Sequence, residues 1–124
     1  MSGYNGINVL IVEDEGLVAM MIEDMLLDLG CQVVASVAEL KQACAIAAAA
    51  QIDLAVLDVN LRGERSFPVA EILRARGIPF MFSTGYGAEG LPAEFSKCAV
   101  LNKPFSAKSL EQAVALALAV SQGG

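Results

Sequence analysis

The amino-acid sequence predicts a doubly wound α/β domain, a five-stranded parallel sheet with helices on both faces. Three observations point there. Short apolar runs alternate with stretches whose apolar residues recur at helical spacing. The runs are nearly continuous in Ile, Val, Leu and Phe, as strands covered on both faces require. Four of them end on polar signals: Glu13-Asp14, Asp58, Ser83-Thr84-Gly85 and Lys103-Pro104. Open parallel sheets bind ligands outside the carboxyl ends of their strands, so these groups should converge in one crevice.

The elements follow in order. Ile7–Val12 reads as the first strand. From Glu15 to Leu29 the period changes: Val18, Ile22, Met25, Leu26 and Leu29 recur at helical spacing, and Gly30 stands where a C-cap belongs. Gln32–Ala35 is a second strand, and Glu39–Ala50 an alanine-rich helix. Leu54–Leu57 is the third strand and ends at Asp58. Residues 59–67 read as a polar loop, and Pro68 fits the first position of a helix running to Arg76, with Gly77 just beyond it. Pro79–Phe82 is the fourth strand. Gly85, Gly87, Gly90 and Pro92 then disfavour a regular helix, leaving at most a short one near Pro92–Phe95. Ala99–Leu101 is the fifth strand, and Ser106 caps a last helix reaching about Val120. About five helices result, the fourth short or irregular. The flavodoxin-like strand order 2-1-3-4-5 sets the ends of strands one and three side by side at the switch point.

At 124 residues the chain suits one domain with a real core, expected to span 1–124 with no output domain. A net charge of -6 without a basic stretch argues against nucleic-acid binding. No apolar run approaches the ~20 residues of a membrane helix. Cys31, Cys44 and Cys98 are odd in number and lack metal-type spacing. With no signal peptide in evidence, they suit a reducing cytoplasm and read as small buried hydrophobes. Histidine is absent, which removes Ser-His-Asp and Cys-His catalysis and histidine-ligated metals.

The acidic crevice carries the chemistry. Each group has a plain reading alone: Asp14 as a helix cap, Asp58 as a turn residue, Lys103 as a surface lysine. Jointly they fall at the same end of their strands. Two unit charges 4 Å apart repel by about 4 kcal/mol at the effective dielectric of a protein surface, so three carboxylates need cations. Lys103 supplies one charge, and oxygen-only ligands suit Mg²⁺ for the rest. A carboxylate beside Mg²⁺ and a lysine is a good phosphoryl acceptor, with Thr84 as a hydroxyl partner and Asp58 as the best nucleophile.

Here the sequence resembles the receiver domain of two-component response regulators over essentially its full length. The resemblance rests on Leu10-Ile11-Val12-Glu13-Asp14-Glu15, Leu57-Asp58-Val59-Asn60-Leu61, Phe82-Ser83-Thr84-Gly85 and Lys103-Pro104-Phe105. It implies that Asp58 is the phosphoacceptor, Asp14 a direct Mg²⁺ ligand, Glu13 a ligand through water, and Asn60 a ligand through its backbone carbonyl. It further implies that Thr84 and Lys103 contact the phosphoryl group and that the Lys103-Pro104 bond is cis. Asn60 and Tyr86 match positions that tune dephosphorylation. The donor implied is a sensor histidine kinase or histidine phosphotransfer protein, and the readout a downstream protein partner or a phosphate sink. The sequence departs from the family at Val100, where many receivers carry Tyr or Phe, and in its glycine-rich fourth helix. Phe82-Ser83-Thr84-Gly85-Tyr86-Gly87 resembles the FATGUY-type single-domain receivers.

Two other functions compete. One is a binding module that is never phosphorylated, against which the intact acidic set stands. The other is a Mg²⁺-dependent phosphatase with an aspartate nucleophile, of the haloacid-dehalogenase type. Those enzymes typically carry Asp-x-Asp after the first strand, whereas here that strand ends in Glu13-Asp14-Glu15 and no cap domain follows. The chain is therefore expected not to be an enzyme beyond forming and losing its own aspartyl phosphate. Leu17, Met20 and Met21 read as core or half-buried, with a docking patch for a histidine-bearing helix as the alternative. In the last helix Leu110, Val114, Ala117 and Leu118 form one face, and Leu116 and Val120 fall off it. That leaves a dimer or partner contact and a merely alanine-rich helix as equal readings.

Overall fold

The computed structural model describes residues 4–85 and 91–123, the side chains of 120–123 excepted. Strands β1 (Asn8–Val12), β2 (Gln32–Val37), β3 (Leu54–Asp58), β6 (Phe80–Thr84) and β7 (Ala99–Asn102) form one sheet. Its order is β2-β1-β3-β6-β7, and every pairing is parallel. This is the order expected from the sequence, with β1 and β3 adjacent at the centre.

Because side chains alternate across a strand, each apolar run feeds two cores. Val9 and Ile11 of β1, Val56 of β3 and Met81 of β6 face helices α1 (Gly16–Asp28) and α4 (Ala107–Gly123). Leu10, Val12, Leu57, Phe80 and Phe82 face α2 (Leu40–Ala49) and α3 (Phe67–Ala75). In the second core Phe95 is fully buried and meets Phe67, Phe80 and Phe82 at centroid distances of 5.8, 6.0 and 5.5 Å. Phe95 sits on the one-turn 3-10 helix Ala93–Phe95, which takes the place of the short fourth helix.

The helix ends follow local chemistry. Gly30 and Gly77, at φ +96° and +74°, close α1 and α3 in the same way. Each donates its N–H back to Leu27 and Arg74 respectively, while the next residues, Cys31 and Ile78, reach Leu26 and Leu73. These are Schellman closures, which need a residue in the left-handed region. Ser106 caps α4 as expected: its Oγ accepts the Ser109 N–H at 3.1 Å, and Ser109 Oγ accepts the Ser106 N–H at 2.9 Å.

Three expectations change. The segment 59–67 is not a plain loop: β4 (Asn60–Leu61) and β5 (Glu64–Arg65) form an antiparallel hairpin. Leu61 is buried and anchors it, and the turn residues Arg62 and Gly63 both have positive φ, 51° and 89°, as a type I′ turn requires. Strand β2 runs on to Val37, two residues past Ala35. Leu17, Met20 and Met21 are exposed, at 78%, 61% and 46%, because α1 turns Ala19, Ile22 and Leu26 toward the sheet instead. Cys31 is buried and Cys44 and Cys98 are half-buried, all as free thiols that burial pushes up in pKa. Among the described residues no helix is long and apolar enough to cross a membrane.

Candidate functional site

The strand register assembles the site. Val12 lies opposite Leu57, so Glu13 and Asp58 leave neighbouring strands side by side. Asp58 is in turn opposite Ser83, and Thr84 opposite Asn102, one residue before Lys103. The Lys103 N–H donates to the Thr84 carbonyl at 2.9 Å, and the Lys103-Pro104 bond is cis. Asp14, Glu15, Asp58, Asn60, Thr84 and Lys103 line one cavity of ≈ 460 Å³, together with Val59, Arg65 and Gly85.

Within it, Lys103 Nζ lies 2.9 Å from Glu13 Oε1, 3.3 Å from Asp58 Oδ2 and 3.9 Å from Glu15 Oε1. Backbone groups hold the other carboxylate oxygens. Glu13 Oε2 accepts the Glu15 N–H at 3.0 Å, Asp58 Oδ1 the Asn60 N–H at 3.3 Å, and Asp14 Oδ2 the Arg62 N–H at 3.1 Å. The side chain of Asn60 folds onto the hairpin turn, where its Oδ1 accepts the Gly63 N–H at 3.0 Å. Thr84 is buried at the end of β6. Tyr86 lies outside the described residues.

Charge in this cluster is unbalanced. Burial pushes Glu13 up to about 7, even though Lys103 and the Glu15 N–H favour its ionised form, and the Asp58 charge adds to the rise. Burial likewise raises Asp58, against Glu13, Lys103 and the Asn60 N–H. Asp14 moves the other way: burial would raise it, but the Arg62 N–H and hydrogen bonding with Asp58 and Glu13 hold it below the ordinary aspartate value. Burial would lower Lys103, but Glu13 and Asp58 outweigh it and push the ammonium up.

One oxygen from each of Glu13, Asp14 and Asp58 lies within 4.8 Å of the others. One ammonium against this set leaves negative charge in excess. The donors are all hard oxygens, and the chain has no histidine. Such a set fits Mg²⁺.

The sequence-derived residues Glu13, Asp14, Asp58, Asn60, Thr84 and Lys103 are thus brought together. Two residues of the hairpin were not foreseen, Arg62 at Asp14 and Arg65 in the cavity wall. The signal that could have found them is Leu61, an apolar residue with polar neighbours on both sides and Gly63 two positions on.

The family model described as response regulator receiver domain matches residues 9–115. Curated proteins compared by sequence yield no significant match. Among solved structures, the chain is similar to SdrG from Sphingomonas melonis Fr1. The identity is 45% and the TM-score 0.82, over 95% of this chain and 99% of that one. The BeF3-activated conformation of SdrG from Pseudomonas melonis Fr1 matches at 46% identity and TM-score 0.78, over 90% and 95%. The response regulator PhyR from Brucella abortus matches at 27% identity and TM-score 0.81 over 97% of this chain. This chain spans about half of that PhyR chain, 51% of its length.

Proposed function

This chain belongs to the response regulator receiver domain family, and on that premise we propose that it takes a phosphoryl group onto Asp58 from a phosphohistidine on another protein. The observation that carries the reading is Asp58 Oδ2 held 3.3 Å from Lys103 Nζ, in a cavity that Thr84 also lines. An Asp58 oxygen attacks phosphorus in line with the donor's P–N bond. The P–O bond forms as the P–N bond breaks, and the imidazole leaves with the bonding pair and takes up a proton. Lys103 pairs with the transferred group, and the Thr84 hydroxyl donates to one of its oxygens. Glu13, Asp14, Asp58 and the Asn60 backbone carbonyl would hold Mg²⁺, which when bound offsets charge on the phosphoryl oxygens. Asn60 and Tyr86, two residues beyond Asp58 and Thr84, tune the lifetime of the aspartyl phosphate.

The donor must come from outside, since the chain contains no histidine. A sensor histidine kinase or histidine phosphotransfer protein meets that need. Leu17 and Met20 support a docking role: both are exposed and line a groove of ≈ 700 Å³ that Glu13 and Asp14 also line. Methionine-containing apolar surfaces adapt to helical partners. The segment Phe82-Ser83-Thr84-Gly85-Tyr86-Gly87 supports placement with the FATGUY-type receivers, acting on a downstream protein in the cytoplasm.

Intact mass after incubation with acetyl phosphate and Mg²⁺ tests the reading. The wild type should gain about 80 Da, one phosphoryl group, and Asp58→Asn should gain nothing. If no gain is seen and beryllofluoride with Mg²⁺ fails to bind as well, the phosphorylation-independent binding module becomes the better account.

A further inference from the structure

We infer that Arg65, on the hairpin that follows the acceptor, is a second cationic contact for the phosphoryl group. The inference rests on the acceptor reading above and adds a residue to it. Three carboxylates, Asp14, Glu15 and Asp58, and two cations, Lys103 and Arg65, line the acceptor cavity. Lys103 is already committed, with Glu13, Asp58 and Glu15 all within ion-pair distance. Among the described residues these are the only ion pairs, so no carboxylate there holds the Arg65 guanidinium. An arriving phosphoryl group brings about two negative charges and three acceptor oxygens into a wall already rich in carboxylates. The uncommitted guanidinium is the group that can answer it.

The backbone fixes where Arg65 stands. It is the register partner of Asn60, two residues beyond Asp58. Directly opposed residues of an antiparallel pair project from the same face, so Arg65 and Asn60 share one side of the ribbon. The base of the hairpin is tied to the main sheet. Ser66 N–H donates to the Val59 carbonyl at 3.0 Å, and Val59 N–H to the Ser83 carbonyl at 3.1 Å. Arg65 is therefore carried by the same backbone that carries the acceptor. A planar guanidinium can donate two parallel N–H groups to two terminal phosphoryl oxygens, which an ammonium cannot. During transfer it would hold those oxygens while the Asp58–phosphorus bond forms and the donor bond breaks.

The test compares wild type, Arg65→Gln and Arg65→Lys in three measurements: phosphorylation rate with acetyl phosphate, affinity for beryllofluoride in saturating Mg²⁺, and affinity for Mg²⁺ alone. Arg65→Gln should lose about tenfold in the first two, as expected for one charge-assisted contact, and Arg65→Lys should recover part of it. Mg²⁺ affinity should be unchanged or tighter in Arg65→Gln, because a cation has left the wall. A wild type that binds beryllofluoride beside an Arg65→Gln that binds it equally well overturns this inference and leaves the acceptor reading intact. Weakened Mg²⁺ binding in Arg65→Gln also overturns it, since that would mean the hairpin had lost its hold on Asp14 and Asn60. A wild type that takes neither acetyl phosphate nor beryllofluoride sinks the acceptor reading and this inference with it.

Discussion

Lys103 lies closer to Glu13 than to Asp58: its Nζ is 2.9 Å from Glu13 Oε1 and 3.3 Å from Asp58 Oδ2. The lysine serves the buried carboxylate of Glu13 as well as that of Asp58. Glu13 is only 3% exposed, so its charge has little access to water. Without the ammonium, burial of that charge goes unopposed by any cation within ion-pair distance among the described residues.

Replacing Lys103 by Met should therefore destabilise the metal-free fold, by about 2 kcal/mol once partial exposure of the pair is allowed for. Saturating Mg²⁺ should restore most of the loss. Urea unfolding at pH 7.5 with EDTA and with Mg²⁺ measures both. An EDTA midpoint equal to that of the wild type would contradict the structural share of Lys103.

The raised pKa of Glu13 has a defined consequence for pH. A carboxyl that titrates near 7 in the folded chain and near 4.5 when unfolded binds more protons folded, so metal-free stability should fall as pH rises between those values. The shift corresponds to about 3 kcal/mol at most. Asp58, also raised by burial, acts in the same direction. Asp14 is lowered, so its stabilising share is lost only below the ordinary aspartate range, outside this window. Unfolding midpoints from pH 5 to 8 in EDTA should show the decline, and Glu13→Gln should flatten it. A wild-type profile that is flat or rising over this range would show that Glu13 ionises freely in the folded state.

Arg76 closes α2 from outside the helix. Its Nη1 donates to the Ala47 carbonyl at 2.6 Å and to the Ala50 carbonyl at 2.9 Å. Carbonyls at a helix C-terminus lack partners of their own, and a cation there is favoured by the helix dipole. Arg76→Gln should cost about 1 kcal/mol and speed amide exchange in the last turn of α2. Unchanged exchange there would assign Arg76 to solvent.

The exposed side chains of α1 allow stability and docking to be separated. Leu17→Glu with Met20→Glu should change stability by no more than about 0.5 kcal/mol, since neither side chain is in the core. Phosphorylation by acetyl phosphate should be unaffected, whereas transfer from a histidine phosphotransfer protein should fall. Equal losses with both donors would remove the docking role and place the damage at the acceptor.

Much of the site was legible because its residues sit at breaks in hydrophobic pattern. Glu13, Asp14, Asp58, Thr84 and Lys103 each stand where an apolar run ends, and the parallel α/β rule gathers those ends on one edge. The caps at Gly30, Gly77 and Ser106 were legible for the same reason, being local. The hairpin was not: four strand residues around Arg62-Gly63 are too few to show alternation, and Arg62 is an uncommon residue at positive φ. The apolar residues of α1 outnumber the positions its sheet-facing side can use, so which of them stay outside depends on how the helix docks.

The sequence by itself determined the kinds of element, their order, and which polar groups end the strands, because periodicity and caps act within a few residues. Only the tertiary structure decided that Lys103 is shared between Glu13 and Asp58, that Asp14 is held by the Arg62 N–H, and that Arg65 lines the same cavity as Asp58. Those relations join residues far apart in the chain, Glu13 with Lys103 and Asp14 with Arg62, and their distances follow from strand register, hairpin geometry and burial.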